Sequence, residues 1–431
     1  MSRYRGCARL RRRAREARAL ATLGVVCGLT VLAAAAGCTP GAREARSPAR
    51  PGAVARQADR RVSAAGPQAL RPADAQPVST DVRSAPVTVM HETRVGGGAR
   101  LYAASSRWCA LLVTGGALGA ERIVLARPEA GRSRVVVDGA VGRGRRMAIT
   151  GVRVSDSWLV WEEASQYDLE LGGAARWRIL AAPILGDSLA VGPVRVVDSG
   201  VVAQRPRCDF AIAGARLAVA STRFLPATPM GSIILVDLAT GLRRTVFEQA
   251  GTADSVTWSG SRIVATVTDA TRLRRVGAVV LDATGAVLGR VRLAPGLAFT
   301  GPATARGDLV AGPVAPEGSD FGDLLVFALS GHALWDGGPA SGGPQWLGDR
   351  LVWQRPPATG TPAEPALVTL DPISGRERLL GTGPSRDPVV RLPVMVAGSA
   401  TGEDGLVLSL EPVERSPGGG DTAVLRACLV H

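Results

Sequence analysis

The chain contains no lysine and no asparagine, and all 51 of its basic residues are arginine. Such a skew reads as coding bias, so arginine abundance by itself says little about partners. Histidine occurs only at positions 91, 332 and 431, and no H-x-H or H-x-x-x-H pair exists. That excludes a metal site built from closely spaced histidines. There is no G-x-S-x-G elbow and no P-loop, so the usual sequence signatures of a serine hydrolase or a nucleotide-binding enzyme are missing. Aromatic residues make up 4% of the chain. Cysteine is scarce too. Beyond residue 38 only Cys109, Cys208 and Cys428 remain, and three thiols cannot all pair within one chain. Buried thiols acting as small hydrophobes are the expectation. Positive charge is plentiful overall, at +14, but not where a fold would use it. Residues 1–95 hold 17 Arg against 6 acids, and the remainder 34 Arg against 31 acids. A nucleic-acid footprint needs a basic face on the folded part, so no nucleic-acid partner is expected.

What is present begins with a leader. Eight Arg and one Glu lie within residues 3–18, followed by an uncharged, mostly apolar run from Ala19 to Ala36. A basic n-region, an apolar h-region and small residues before a cleavage point form an export signal. The segment ends Ala35-Ala36-Gly37-Cys38 and resembles the bacterial lipoprotein lipobox, which implies that Cys38 is lipidated and becomes the mature N-terminus. Ordinary cleavage and a retained signal anchor are the alternatives. All three readings place the rest of the chain outside the cytoplasmic membrane, because the positive end stays inside. Residues 39–85, rich in Ala, Pro, Arg, Ser and Gly, have no hydrophobic period and read as a disordered tether. As a flexible coil the tether spans roughly 40 Å.

From residue 86 the chain turns to short β-like runs. Thr257-Trp258-Ser259-Gly260-Ser261-Arg262-Ile263-Val264 and Gln345-Trp346-Leu347-Gly348-Asp349-Arg350-Leu351-Val352 share the pattern W-x-G-x-R-[IL]-V, with Gly260 and Gly348 separated by 88 residues, or two units of 44. Apolar pairs at Leu112, Leu159, Leu217, Ile263, Leu309, Leu351 and Met395 continue the array at intervals of 42 to 58. After several pairs comes a β-rich run ending in a D-x-x-[TS]-G turn, as at Asp237 to Gly241 and Asp371 to Gly375, with the shorter D-x-T-G in Val279 to Gly285. Gly takes positive φ there, and Asp bonds its own turn backbone. Each unit therefore reads as four strands, a to d, with tight a–b and c–d turns. Radial packing of such sheets buries both faces and leaves few edges, as in a β-propeller. The expected fold is thus all-β, a propeller over residues 86–431 with seven four-stranded blades, or six if the first unit is not a full blade. Val87 to Thr93 is placed as a closing outer strand beside the last blade. Gly260 and Gly348 are expected to be structural, in turns that a side chain would strain.

The paired signatures W-x-G-x-R-[IL]-V and D-x-x-[TS]-G resemble the TolB-like and WD-type propeller repeats of bacterial envelope proteins, most clearly over residues 208–382. The resemblance implies a periplasmic or surface-exposed binding platform; it is more specific for fold than for function, since propellers host many unrelated activities. The leading expectation is a membrane-tethered binder of a protein or envelope glycan, without cofactor, metal or catalysis. The alternative is an extracytoplasmic propeller enzyme, a lyase or lactonase-like hydrolase. Several ionisable side chains meeting at the channel mouth would favour the enzyme, and a lining of Ala, Gly and Thr the binder. Trp158, Trp258, Trp346 and Trp353 follow the repeat and are expected to pack between blades rather than stack on sugars. Glu162, Glu163 and Asp168 are placed in the b–c loop of blade 2, where they solvate the loop or bind a ligand. Their order lacks the spacing of a calcium loop. From strand b to the turn Gly, blade 2 takes 27 residues (Leu159 to Gly186) against 22 in blade 4 (Ile263 to Gly285). From turn Gly to the next strand b, blades 1 and 2 take 28 and 31 residues, and blades 5 and 6 take 20 each. The surplus is assigned to the b–c/d–a face over blades 1 to 3. That makes Glu162, Glu163, Asp168 and Arg223 the candidate ligand-binding residues, since loops that grow on a rigid scaffold are where binding residues tend to sit.

Overall fold

The structure, a computed structural model, describes residues 75–85, 87–96, 99–115, 120–127, 130–140, 147–165, 176–201, 209–225, 228–269, 274–319, 321–330, 332–356, 366–380, 394–397, 405–412 and 422–430. All of them belong to the second of two compact units, Ala64–His431. The described chain opens with β1 (Gln76–Pro77), β2 (Ser79–Ala85) and β3 (Val87–Gly96), then runs through successive antiparallel meanders. The first is β4 (Ala99–Ala104), β5 (Cys109–Gly115), β6 (Ala120–Arg127) and β7 (Arg132–Asp138). The second is β8 (Met147–Val154), β9 (Trp158–Ser165), β10 (Arg176–Leu185) and β12 (Arg195–Val201), with the two-residue β11 (Ala190–Val191) beside β10. The third is β13 (Asp209–Ala213), β14 (Arg216–Arg223), β15 (Met230–Asp237) and β16 (Arg243–Ala250). The fourth is β17 (Ala253–Ser259), β18 (Arg262–Val267), β19 (Gly277–Asp282) and β20 (Val287–Arg292).

A broken first strand, β21 (Leu297–Phe299) and β22 (Thr304–Arg306), begins the next meander with β23 (Leu309–Pro316) and β24 (Gly322–Ala328). The long β25 (Ala333–Leu347) is shared. Its first half pairs with β24, and its second half pairs with β26 (Arg350–Arg355), which leads into β27 (Ala366–Asp371) and β28 (Arg376–Leu380). Finally β29 (Val394–Ala397), β30 (Gly405–Pro412) and β31 (Thr422–Val430) form a sheet whose fourth strand is β3, paired antiparallel with β31. The closing strand expected over Val87 to Thr93 is therefore present.

The first strands pack side by side in chain order: β4 on β8, β8 on β13, β13 on β17, β17 on β22, β22 on β25, β25 on β29, and β29 back on β4. Sheets radiating from such a closed ring make a β-propeller. The apolar residues sit between consecutive sheets. One cluster joins the first and second meanders through Leu112, Ile123, Leu159 and Trp161, and the next joins the second and third through Trp177, Ile179, Leu217 and Val236. Trp258 packs between the third and fourth meanders, and Trp346 and Trp353 in the cluster of the fifth and sixth. The tryptophans thus take the inter-blade role. Neither face of one sheet is buried within that sheet, so the stability of each depends on its neighbours. In the first three meanders the c–d pairing carries a bulge at one equivalent place, Ile123/Val124, Ile179/Leu180 and Ile233/Ile234, and in the fourth the bulge lies two residues nearer the turn, at Val280/Leu281. A bulge increases local twist, which suits outer strands that splay around an axis.

In the third to sixth meanders the a–b turns are two-residue hairpins with positive φ at the first position, +55° at Gly260 and +54° at Gly348. Consecutive a–b turns bond to neighbouring turns around one face. Ser106 Oγ donates to Asp156 (2.6 Å), Ser155 Oγ to the Gly214 carbonyl (2.7 Å), Arg216 to the Ala283 carbonyl (3.1 Å) and Arg262 to the Gly307 carbonyl (3.1 Å), while Arg306 pairs with Asp349 (2.7 Å).

Two expectations change, and the closing strand sets the place of Cys428. β1 and β2 lie within the stretch read as tether, β1 parallel to β25 and β2 parallel to β28, so ordered chain begins by residue 75. Ser79 to Ala85 has no apolar period, and its ordering comes from backbone pairing along a sheet edge. Cys428 lies in β31, the third strand of its sheet, because β3 takes the outermost place. In the second meander the connection after Gly186 runs to Val194 and contains a short 3-10 helix, Gly186–Ser188, and β11. Part of the length assigned to a d–a loop is therefore on the c–d side.

Candidate functional site

Meander topology puts the b–c and d–a connections on one face, opposite the bonded turns. Arg223 ends β14 there and is exposed. Asp168 lies outside the described residues, as do Cys38 and Cys208. Glu162 and Glu163 are corrected: they are not loop residues but lie within β9, where they are 2% and 0% exposed. Glu163 accepts from Nε of Arg178 (2.9 Å) and from the indole N–H of Trp161 (3.0 Å), and Glu162 from the hydroxyl of Thr150 (2.6 Å). The loop placement failed because W-E-E reads as the polar end of a strand. The local rule that wins is a buried carboxylate paired with a guanidinium directly across the ladder. A related arrangement with the charges exchanged occurs in the sixth meander. Arg355 stands two residues after Trp353 and makes a bidentate pair with the fully buried Glu377, with 2.7 Å for its Nη1–Oε1 arm.

The first strands bring together residues that the sequence reading did not select. Asp209, which opens β13, accepts from the Val256 amide on β17 (2.9 Å) and from its own neighbour's amide, Phe210 (2.9 Å), and pairs with Arg153 on β8 (3.3 Å). One carboxylate so ties three successive first strands. Crowding pushes the Asp209 carboxyl above the ordinary range, while Arg153 and the two amides pull it down and Asp254 adds to the rise. Its side chain still keeps 29% of its surface open. Asp254 is bound by Arg275, and next to Arg275 in the b–c loop Arg274 is bound by Glu317 of the following b–c turn. Each of these three carboxylates is therefore matched by a guanidinium. Hydroxyls fill the space beside them. Thr252 bonds Thr268 (2.7 Å), and Ser255 bonds Thr266 (2.6 Å). A signal existed: Asp209 and Asp254 stand eight and nine residues before the strand-b landmarks Leu217 and Ile263. The one-residue offset is the bulge between Ala253 and Ser255.

The remaining sequence candidates divide. His332 is exposed beside a c–d turn, and His91 lies in β3. Cys109 begins β5, is free and buried, and burial pushes its thiol well above its ordinary value, as expected of a small hydrophobe. Among the described residues no group of three His, Cys, Asp or Glu side chains comes together to hold a metal ion.

No protein-family model and no curated protein matches the chain. Among solved structures it is similar to an oligogalacturonate lyase in complex with manganese, at 14% identity over 81% of this chain and 96% of that one, with a TM-score of 0.46. It is similar also to the β-propeller domain of the Trilobed protease from Pyrococcus furiosus (15% identity, 68% and 86% covered, TM-score 0.44). A third is TolB from Acinetobacter baumannii (14% identity, 63% of each chain, TM-score 0.38). The propeller stands on the closed ring of first strands, and likenesses this distant say nothing of activity.

Proposed function

We propose that the chain is a membrane-tethered, extracytoplasmic propeller of seven blades that binds a protein or an envelope glycan through its b–c/d–a face and performs no chemistry there. The observation that carries this reading is the commitment of the carboxylates. Glu162, Glu163, Asp209, Asp254 and Glu317 are all engaged with guanidinium, amide, indole or hydroxyl donors of the propeller itself. General acid–base work requires a group free to meet substrate. Arg223, Asp168 and the loop after β9 supply the contact surface over blades 1 to 3, and Glu162 and Glu163 brace the strand from which that loop departs.

The enzyme reading draws on two raised carboxyls, that of Asp209 beside Arg153 at the inner ring and that of Asp323, pushed up by burial and by Asp336. An ionisable cluster at the channel is what that reading requires. Against it, Asp209 bonds main-chain amides of two strands, which is the work of a latch. The test uses the detergent-solubilised full chain as bait in solubilised envelopes, alongside a variant with Gln166 to Gly173 replaced by a short Gly-Ser loop. The variant is expected to melt as the wild type does and to lose the captured partner. Capture retained by a folded variant places the site elsewhere.

A further inference from the structure

The described chain enters the propeller on the face away from the proposed partner site. Ala75 packs on the core between the fourth and fifth meanders, as do Leu329 and Ala333 around a c–d turn. β1 starts opposite Trp335 and runs parallel to β25 toward the other face. The Ser79 amide donates to the carbonyl of Gly375 (3.0 Å), and β2 then starts opposite Arg376. Leu329 and Gly375 belong to the c–d turns before β25 and β28, so whatever precedes residue 75 joins the molecule at the rim of the a–b/c–d face.

The same rim carries aliphatic side chains that the fold leaves in water. Leu242 is 71% exposed, Ile373 87%, Leu185 51% and Val287 46%. Each stands in, or directly beside, the c–d connection of a different sheet. Such tips do not serve the core; the b–c side has its own in Phe224, Leu225 and Phe321, and apolar surface left exposed is available for interaction. Guanidinium groups lie among the c–d tips. Arg216 and Arg244 donate to the carbonyls of Ala283 and Thr284, and Arg134 to that of Ser188. Asp237 bonds inward to the amides of Ala239 and Thr240 and Asp371 to that of Ile373, while the exposed turn residues Asp187, Asp308 and Asp349 pair with Arg127, Arg262 and Arg306.

We infer that the a–b/c–d face rests on a phospholipid surface, with Leu185, Leu242, Val287 and Ile373 at the headgroup boundary and Arg134, Arg216 and Arg244 toward lipid phosphates. This rests on the tethered reading above. An anchor that brings a bilayer to the entry rim makes lipid the nearest partner, and apolar side chains at an interface add to the hold of an acyl chain. The b–c/d–a face then points away from the membrane, where a partner can reach it.

The test is hydrogen exchange on the full chain in vesicles of phosphatidylcholine with phosphatidylglycerol, compared with the same chain in nonionic micelles. Deuterium uptake is expected to fall several-fold over Thr240–Arg244, Gly285–Leu288 and Ile373–Arg376, with Arg223–Met230 and Glu317–Phe321 unchanged. Leu242→Asp combined with Ile373→Asp, both at exposed tips, is expected to melt normally and to abolish the protection at Gly285–Leu288. Equal uptake in vesicles and micelles, or protection on the b–c side instead, overturns the inference. Fatty acid at Cys38, measured on the same sample, separates the two readings. Anchored chain with unprotected turns refutes docking alone. Turns protected without fatty acid refute the anchor alone, and the absence of both refutes both.

Discussion

At Gly260 the physical requirement is a single dihedral. Its φ of +55° lies in the left-handed region, yet a Cβ there would meet nothing within 4 Å. The cost of a side chain is therefore in the backbone and not in packing. Gly260→Val is expected to destabilise by about 1–3 kcal/mol and to lower Tm by a few degrees in calorimetry. Gly260→Asn is expected to recover most of the loss, because Asn tolerates this conformation. An equal loss for both would put the cause elsewhere. Glu163 is the opposite case, a residue whose whole value is in its partners. Truncation to Ala leaves Arg178 and the Trp161 indole unpaired. Removing one member of a buried pair costs about 3–5 kcal/mol, and the lower end applies because Arg178 keeps 24% of its side chain in water. Glu163→Gln keeps an acceptor for the indole and is expected to fall between the two. Chemical denaturation of the three proteins gives the order, and Gln no better than Ala would assign the whole effect to charge.

The c–d turn is the element that repeats most clearly, and it titrates. In Asp237 to Gly241 the carboxylate accepts from two amides of its own turn, and in Asp371 to Gly375 it also accepts from the Ser374 hydroxyl. The copy at Asp282 is one residue shorter, with Thr284 supplying both hydroxyl and amide. Bonding to Thr240 holds the Asp237 carboxyl below the usual range, and the Thr284 hydroxyl does the same for Asp282. At Asp371 partial burial pushes up, but Ser374 and Ile373 together hold the carboxyl down. A carboxyl lowered in the folded state contributes stability that is complete above its unfolded value and is lost as pH falls through the folded one. Asp282→Asn should therefore be less stable than wild type at neutral pH, with the gap narrowing between about pH 5 and pH 2. A gap that stays constant across that range would show that the aspartate contributes shape and not charge.

For the whole molecule, the proposed tether is open to a direct test. Radiolabelled fatty acid is expected to enter the wild-type chain and not Cys38→Ser, and equal labelling of both would remove the lipidation at Cys38. Sequence alone determined the period, the four-strand unit, the turn chemistry of Gly260 and Asp237, and the return of Val87 to Thr93 to the last sheet. These are local rules of φ, alternation and hydrogen-bonding reach, written into every copy and reinforced by repetition. Only the tertiary structure decided what the polar residues do. Whether Glu163 faces water or Arg178 depends on the next strand, which brings Arg178 from fifteen residues further along the chain. Whether Asp209 is a surface acid or a latch depends on the β17 amide that ring closure brings to it. The edge pairing of Ser79 to Ala85 is invisible for the same reason: its partners are main-chain groups of β28, and backbone carries no sequence. Apolar periodicity survives translation into a fold because burial is non-directional, while a polar side chain acquires its role only when folding fixes the one neighbour it can reach.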